Sequence, residues 1–190
     1  MGVWLIFDVG QSMKLLVIAD DDGVSTNVER ESADVLISCG DLLDHSIAAV
    51  GRACCASKIF AVKGNHDTNQ AFPPPVVDLH LRTESYAGLV FGGFRGSWRY
   101  KPRGHFLYEQ EEVERQLAVF PPVDVFVAHN SPRRIHDRDD DVHFGFDAFV
   151  SYIQRVQPRL FIHGHQHINR ESQVDRTRVI GVFGATVVLS

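Results

Sequence analysis

Five times along this chain a short apolar run stops at a cluster of carboxylates, imidazoles or carboxamides. KLLVIA (14–19) leads into Asp20-Asp21-Asp22, and DVLISC (34–39) into Gly40-Asp41-Leu42-Leu43-Asp44. KIFAVK (58–63) leads into Gly64-Asn65-His66-Asp67, VDVFVA (123–128) into His129-Asn130, and RLFIH (159–163) into Gly164-His165-Gln166-His167. Runs of this length and composition read as strands. Open α/β sheets bind ligands at the carboxyl ends of their strands, so the five clusters are expected to converge.

Further apolar runs lie at 88–92 and 178–189, and helical patterns at 42–56, 107–119 and 146–157. Pro121-Pro122 and Pro158 stop the last two helices before the next strand. The alternation reads as α/β, and 190 residues are most simply one domain over 1–190. The stretches 64–78, 93–106 and 129–145 lack clear periodicity, and loops of that length in a compact domain are usually functional. The strand-like 3–8 has two readings, an extra edge strand or a leader upstream of a start at Met13.

A formal charge of −5 argues against a protein that coats nucleic acid through bulk positive charge, although local basic patches remain open. Cys39, Cys54 and Cys55 make no disulfide framework, since the count is odd and two are adjacent. A reducing cytoplasm fits best. Asp8 and Gly10 interrupt a short N-terminal apolar run with no cationic leader, which makes a poor signal peptide. No run approaches membrane-spanning length.

Carboxylates, imidazoles and a carboxamide are the ligand set for divalent first-row metals. Singly, each cluster has a plainer explanation: Asp after a strand is often a helix N-cap, and Gly-Asp and Gly-Asn are common turn dipeptides. Five in succession at strand ends are hard to obtain from turn chemistry. Three adjacent aspartates repel one another unless a cation sits among them.

In order and spacing these blocks resemble the calcineurin-like metallophosphoesterases, whose pattern runs D-x-H, G-D-x-x-[DN], G-N-H-[DE], an isolated H, and G-H-x-H. The chain offers Asp20-x-Asp22, Gly40-Asp41-x-x-Asp44, Gly64-Asn65-His66-Asp67, His129 and Gly164-His165-x-His167, and looks most like the small single-domain phosphodiesterase-like branch. The resemblance implies a four-layer α/β/β/α sandwich, two mixed sheets face to face with helices outside. It also implies a dinuclear centre. Asp20, Asp41 and His167, with position 22, would hold one metal; Asp41 would bridge to a second held by Asn65, His129 and His165. His66 would lie beside the phosphate as general acid or charge stabiliser, oriented by Asp44. Two cations about 3.5–4 Å apart can acidify a bridging water and clamp the phosphoryl oxygens of an in-line displacement. His66 is then free to protonate the leaving alkoxide.

The departure lies at Asp22, where the pattern has histidine. In an extended chain residues i and i+2 face one side, so Asp20 and Asp22 would point together. Asp22 is therefore expected as a ligand; the alternative is a solvated loop carboxylate with water in its place. As a ligand it would lower the net charge of two divalent cations, Asp20, Asp41 and a bridging hydroxide from about +1 to about 0, favouring a monoanionic diester over a dianionic monoester. An oxygen-rich site suits Mn²⁺, with Fe²⁺, Mg²⁺ or Zn²⁺ as alternatives.

Residues 93–105 interleave Arg95, Arg99, Lys101 and Arg103 with Trp98 and Tyr100, a pattern that can stack bases and bind phosphates, or equally a solvated loop anchored by one aromatic. Arg95, Trp98, Arg99, Arg133 and His143 are candidate substrate contacts, and His163 is expected to make a structural hydrogen bond. The leading expectation is a cytoplasmic phosphodiesterase acting on a small phosphodiester, with a nucleotide as one substrate class. Its rivals are a phosphomonoesterase, a nuclease, or a nucleotide-binding protein with a degenerate metal site. The sequence leaves oligomeric state and natural substrate open.

Overall fold

The computed structural model describes residues 12–24 and 32–190; the stretch 3–8 lies outside them. In the first sheet β1 (Lys14–Ala19), β2 (Val35–Ser38), β3 (Lys58–Ala61) and β4 (Val76–Asp78) run parallel in that order. The chain's last strand, Gly184–Leu189, lies antiparallel on the free edge of β1. The second sheet is built on β6 (Leu89–Phe94), β9 (Val125–Ala128), β10 (Leu160–His163) and β12 (Thr177–Gly181), again parallel neighbours in that order. Antiparallel strands β5 (Thr83–Tyr86) and β11 (Arg170–Val174) close its two edges. A separate short ladder pairs β7 (Ser97–Trp98) with β8 (Leu107–Tyr108). The strand Gly184–Leu189 is β13.

Alternation along each strand assigns the layers. Leu15, Val17, Val35, Ile37 and Phe60 of the first sheet meet Phe91, Val125, Val127, Leu160 and Ile162 of the second in one buried cluster between the sheets. The intervening residues Leu16, Ile18, Leu36, Ile59 and Ala61 face outward against Ile47 and Val50 of α1 (Asp44–Ala53). On the other outer face Phe94, Phe126 and Phe161 meet Val113 and Leu117 of α2 (Gln110–Ala118) and Phe149, Tyr152 and Ile153 of α3 (Asp147–Val156). Central strands buried on both faces need apolar residues at every position, which is why they stand out as unbroken runs. The result is the four-layer α/β/β/α sandwich. Among the described residues no helix is long and apolar enough to cross a membrane.

The sequence reading misses β4, β5, β7, β8 and β11. β5 (TESY) and β11 (RESQV) are polar, largely exposed edge strands, held by backbone pairing rather than by apolar burial. The run 178–189 is two strands, β12 and β13, which leave one sheet and join the other across Val182-Phe183. The helix expected over 107–119 starts at Gln110, because Leu107-Tyr108 pairs with Ser97-Trp98. Because β1, β2, β3, β9 and β10 are parallel within their sheets, their carboxyl ends gather on one edge of the sandwich.

Phe126 is fully buried, with ring centroids 5.0 Å from Phe161 and 4.7 Å from Tyr152. Phe126→Ala is expected to cost about 3–5 kcal/mol in denaturant unfolding. Its outward-facing position should leave metal affinity of the folded fraction unchanged.

Candidate metal centre

Four of the candidate ligands sit where the chain leaves its extended path. Asp20, Asp41, His165 and His167 have φ of 61°, 55°, 64° and 50°, left-handed values that non-glycine residues seldom adopt. Backbone strain of this kind concentrates at functional sites, where the surrounding structure holds it. Here the hold is visible. Asp67 accepts hydrogen bonds from the N–H groups of Asp41 (3.0 Å), Leu42 (3.2 Å) and Gly64 (2.7 Å), tying the loop after β2 to the loop after β3. A Cβ on Gly64 would collide with the Asp41 carboxylate, and one on Gly164 with the Asp20 carboxylate. Glycine at these two places lets the acids lie against neighbouring backbone.

The buried ring of His129 fixes its own tautomer. Its Nδ1 lies 2.8 Å from the Cys39 carbonyl, which can only accept, so Nδ1 carries the proton. Nε2 then faces Asn65 Oδ1 at 3.0 Å and Asp41 Oδ2 at 3.4 Å, both acceptors. Three lone pairs converge, and something positive must lie among them. In metal-free protein a second proton on His129 serves: although burial works against it, Asp41 and then Asp20 push its pKa up. Asp41, despite its own burial, is held well below the usual carboxylate range by His129.

His165 is arranged in the same way. Its Nε2 donates to the Val142 carbonyl at 3.1 Å, leaving Nδ1 as the ring nitrogen with a lone pair. Burial, reinforced by His129, pushes its pKa well down, so the ring stays neutral and available as a ligand. The ligand atoms of Asp41, His129 and His165 lie within 4.8 Å of one another. Asp20 accepts the His165 N–H on Oδ2 at 2.8 Å, while its buried Oδ1 has no hydrogen-bond partner. Burial pushes the Asp20 carboxyl up to about 7. That orphaned oxygen lies 3.8 Å from His167 Nε2. An acid with one unpartnered oxygen, a converging acceptor set and two rings with fixed lone pairs suit divalent cations. Asp20, Asp41, His66, Val142, His143, His165 and His167 line a cavity of about 280 Å³ there.

Residues 13–169 match the family described as calcineurin-like phosphoesterase. The chain belongs to this family. Its members are metal-dependent phosphoesterases, and the polar edge of the sandwich is the candidate metal site. No curated protein matches the sequence. One similar solved structure shares 18% identity over 94% of this chain and 98% of its own, with TM-score 0.67. Phosphopantetheinyl hydrolase from Mycobacterium tuberculosis shares 17% over 93% of this chain and 91% of its own, with TM-score 0.62. The protein TT1561 of Thermus thermophilus shares 14% over 91% and 90%, with TM-score 0.60. These likenesses speak to the fold.

The structure thus brings together Asp20, Asp41, Asn65, His129, His165 and His167, with His66 at the rim. Asp22 is not among the residues that line the cavity. The i, i+2 argument needs an extended backbone, and the left-handed Asp20 ends that alternation. Asp22 Oδ1 instead accepts the Leu43 N–H at 2.8 Å, and the residue does not line the cavity. Asp44, expected to orient His66, gives its Oδ1 to the buried Lys63 at 2.5 Å.

The basic side chains expected at the substrate are engaged within the fold. Arg95 donates to the Tyr108 hydroxyl (2.7 Å) and lies over Phe106; Arg99 binds the Leu107 carbonyl (2.7 Å) and Glu109 (2.8 Å). Arg133 binds Asp137 and lies 3.6 Å over the Phe144 ring, which Trp98 also contacts. Of the proposed substrate contacts only His143 lines the cavity, 5.3 Å from His165 between ring centroids.

His163 makes the structural hydrogen bonds expected of it. Its Nδ1 donates to the Gly164 carbonyl and its Nε2 accepts from His136 Nδ1, each at 3.0 Å, while Ser172 Oγ lies 2.8 Å from His136 Nε2. The Gly164–His165 peptide is therefore gripped at both its carbonyl and its N–H. Sequence reasoning missed the role of Asp67, which the fourth position of G-N-H-[DE] signalled, and the roles of the Cys39 and Val142 carbonyls, which nothing signalled.

Asp20→Asn should lower metal stoichiometry or affinity sharply, because it replaces the orphaned carboxylate. Asp22→Asn keeps an acceptor for the Leu43 N–H and should leave stoichiometry unchanged. Elemental analysis after Mn²⁺ loading and removal of excess metal reads both.

Proposed function

We propose that this chain is a dinuclear metal-dependent phosphodiesterase acting on a small phosphodiester. The observation that carries the reading is the meeting of Asp41 Oδ2, Asn65 Oδ1 and His129 Nε2 beside the unpartnered Asp20 Oδ1. Asp20 and His167 would hold one ion, Asn65, His129 and His165 the other, and Asp41 would bridge them. An Asp, Asn and His donor set suits Mn²⁺, though Fe²⁺, Mg²⁺ and Zn²⁺ share these ligand types. Such a pair of ions, when bound, supplies an activated water and a clamp on the phosphoryl oxygens.

The chain's own residues account for the rest. The His66 imidazole is exposed at the cavity rim, and its backbone N–H is anchored on Asp41 Oδ1 at 2.8 Å. From the rim the ring can hand a proton to the departing alkoxide. His66 also lines an adjoining cleft of about 510 Å³ with Leu42, Leu43, Ala48 and Pro73, which offers room for an ester group. The described residues lining the metal cavity include no arginine or lysine. With Asp22 outside the cavity the cluster would keep a net charge of about +1. The preference for a diester therefore rests on the adjoining cleft, where Leu42, Leu43, Ala48 and Pro73 beside Asp44 and Lys63 offer room for a second ester group that a monoester lacks. Because Arg95, Arg99 and Arg133 are spent inside the fold, a small diester is also favoured over a nucleic acid. The free thiols of Cys39, Cys54 and Cys55 fit a reducing cytoplasm.

Chelator-stripped protein reloaded with Mn²⁺ should bind close to two ions per chain and hydrolyse a 4-nitrophenyl diester faster than 4-nitrophenyl phosphate. His66→Asn should slow hydrolysis of alkyl or nucleoside diesters by ~10²–10⁴, sparing nitrophenyl diesters much more, with metal content unchanged. Equal losses on both substrate types would remove the general-acid role. Bound metal without turnover on any diester would remove the enzyme reading and leave a binding protein.

A further inference from the structure

The segment 93–106 carries the densest mixture of arginines and aromatics in the chain, yet Arg95 and Arg99 are bound internally. Its geometry serves another purpose. β7 and β8 form its base. Across that base Arg99 N–H donates to the Tyr108 carbonyl at 3.1 Å, and Ser97 N–H to the Phe106 carbonyl at 3.0 Å. Tyr100 N–H closes back on the Trp98 carbonyl at 3.0 Å. The Arg99 side chain straps the loop to Leu107 and Glu109. What this bracing presents to the metal centre is the Tyr100 hydroxyl, which accepts a hydrogen bond from Asn65 Nδ2 at 3.2 Å.

A carboxamide has two ends of nearly equal size and opposite character: an oxygen that accepts and an NH₂ that only donates. Asn65 is 3% exposed, and its Oδ1 points at His129 Nε2, into the acceptor cluster. Turned over, the same side chain would aim N–H groups at a cation and withdraw a ligand. The Tyr100 hydroxyl at the opposite end holds Nδ2 away from the cluster. We infer that Tyr100 is a positioning residue for the metal centre, its phenolic oxygen pinning the Asn65 carboxamide so that Oδ1 faces the cations. This rests on the metallophosphoesterase reading above, and it gives the aromatic–basic loop a task inside the site rather than at a nucleic acid.

Tyr100→Phe tests it, because the ring and its packing stay while the acceptor goes. Partners of metal ligands are typically worth 10–100-fold in metal affinity. Calorimetric titration of chelator-stripped protein with Mn²⁺ should show one site weakened about tenfold or more in the variant. The visible spectrum of the Co²⁺-loaded variant should differ from wild type at saturation, since the ligand field changes. The thermal midpoint of the chelated protein should not move. Unchanged affinity and spectrum would overturn the inference. So would a loss of affinity matched by an equal fall in the chelated protein's stability, since Tyr100 would then merely brace the fold. Wild-type protein that binds no metal would refute the metal-centre reading first, visibly in the unmutated protein, and the positioning role would fall with it.

Discussion

The largely enclosed Asp41 carboxylate lies against the fully buried His129, and neither tolerates that placement alone. The carboxylate needs a positive neighbour, and the imidazole, with Nδ1 committed to the Cys39 carbonyl, can meet it only with a proton or a metal at Nε2. Removing one member of such a buried pair leaves an uncompensated charge, which is strongly destabilising. Much of the local architecture serves this meeting. The loop after β2 carries Asp41, the end of β9 carries His129, and the two facing sheets bring them together from 88 positions apart in sequence.

Holding several acids close together in a buried place is costly unless every free oxygen is accounted for. The chain accounts for them mainly with backbone. Asp41 Oδ1 takes the His66 N–H, Asp20 Oδ2 takes the His165 N–H, and Asp67 gathers three amides that tie two ligand loops into one unit. Each bond uses one oxygen lone pair and leaves others aimed at the cavity. Asp20 Oδ1 is the clearest remainder, buried and without a partner. The left-handed residues at these loop turns and the glycines that admit the carboxylates belong to the same solution, since a strand that ran straight on would carry its acids past the site.

Cations and aromatics outside this cluster show how composition misleads about surface chemistry. Arg95, Arg99 and Arg133 resemble phosphate ligands in the sequence, yet each stacks on a ring or binds a carbonyl, hydroxyl or carboxylate of its own loop. They brace the segments that carry them. Asp22 and Asp44 likewise answer needs nearer to hand, the Leu43 amide and the Lys63 ammonium. Such local partners are invisible to motif spacing, because they depend on which way a loop turns.

By itself the sequence determined the central strands, three helices of the described residues within a few positions, and the identity and order of the clustered candidate ligands. Unbroken apolar runs of four to six residues have no stable placement except between two layers, and acids and imidazoles at their ends must then share one edge. The tertiary structure decided what spacing cannot encode. Polar edge strands such as β5 and β11 form because neighbouring strands offer backbone partners, and 178–189 divides because two sheets compete for one run. Asp22 gives an oxygen to the Leu43 amide, and the left-handed residue at Asp20 ends the alternation that would have set Asp20 and Asp22 side by side. Tyr100 reaches Asn65 only because a braced loop carries it there. Residue type sets which interactions a side chain needs, and backbone direction, fixed by contacts far away in the chain, decides which of them it finds.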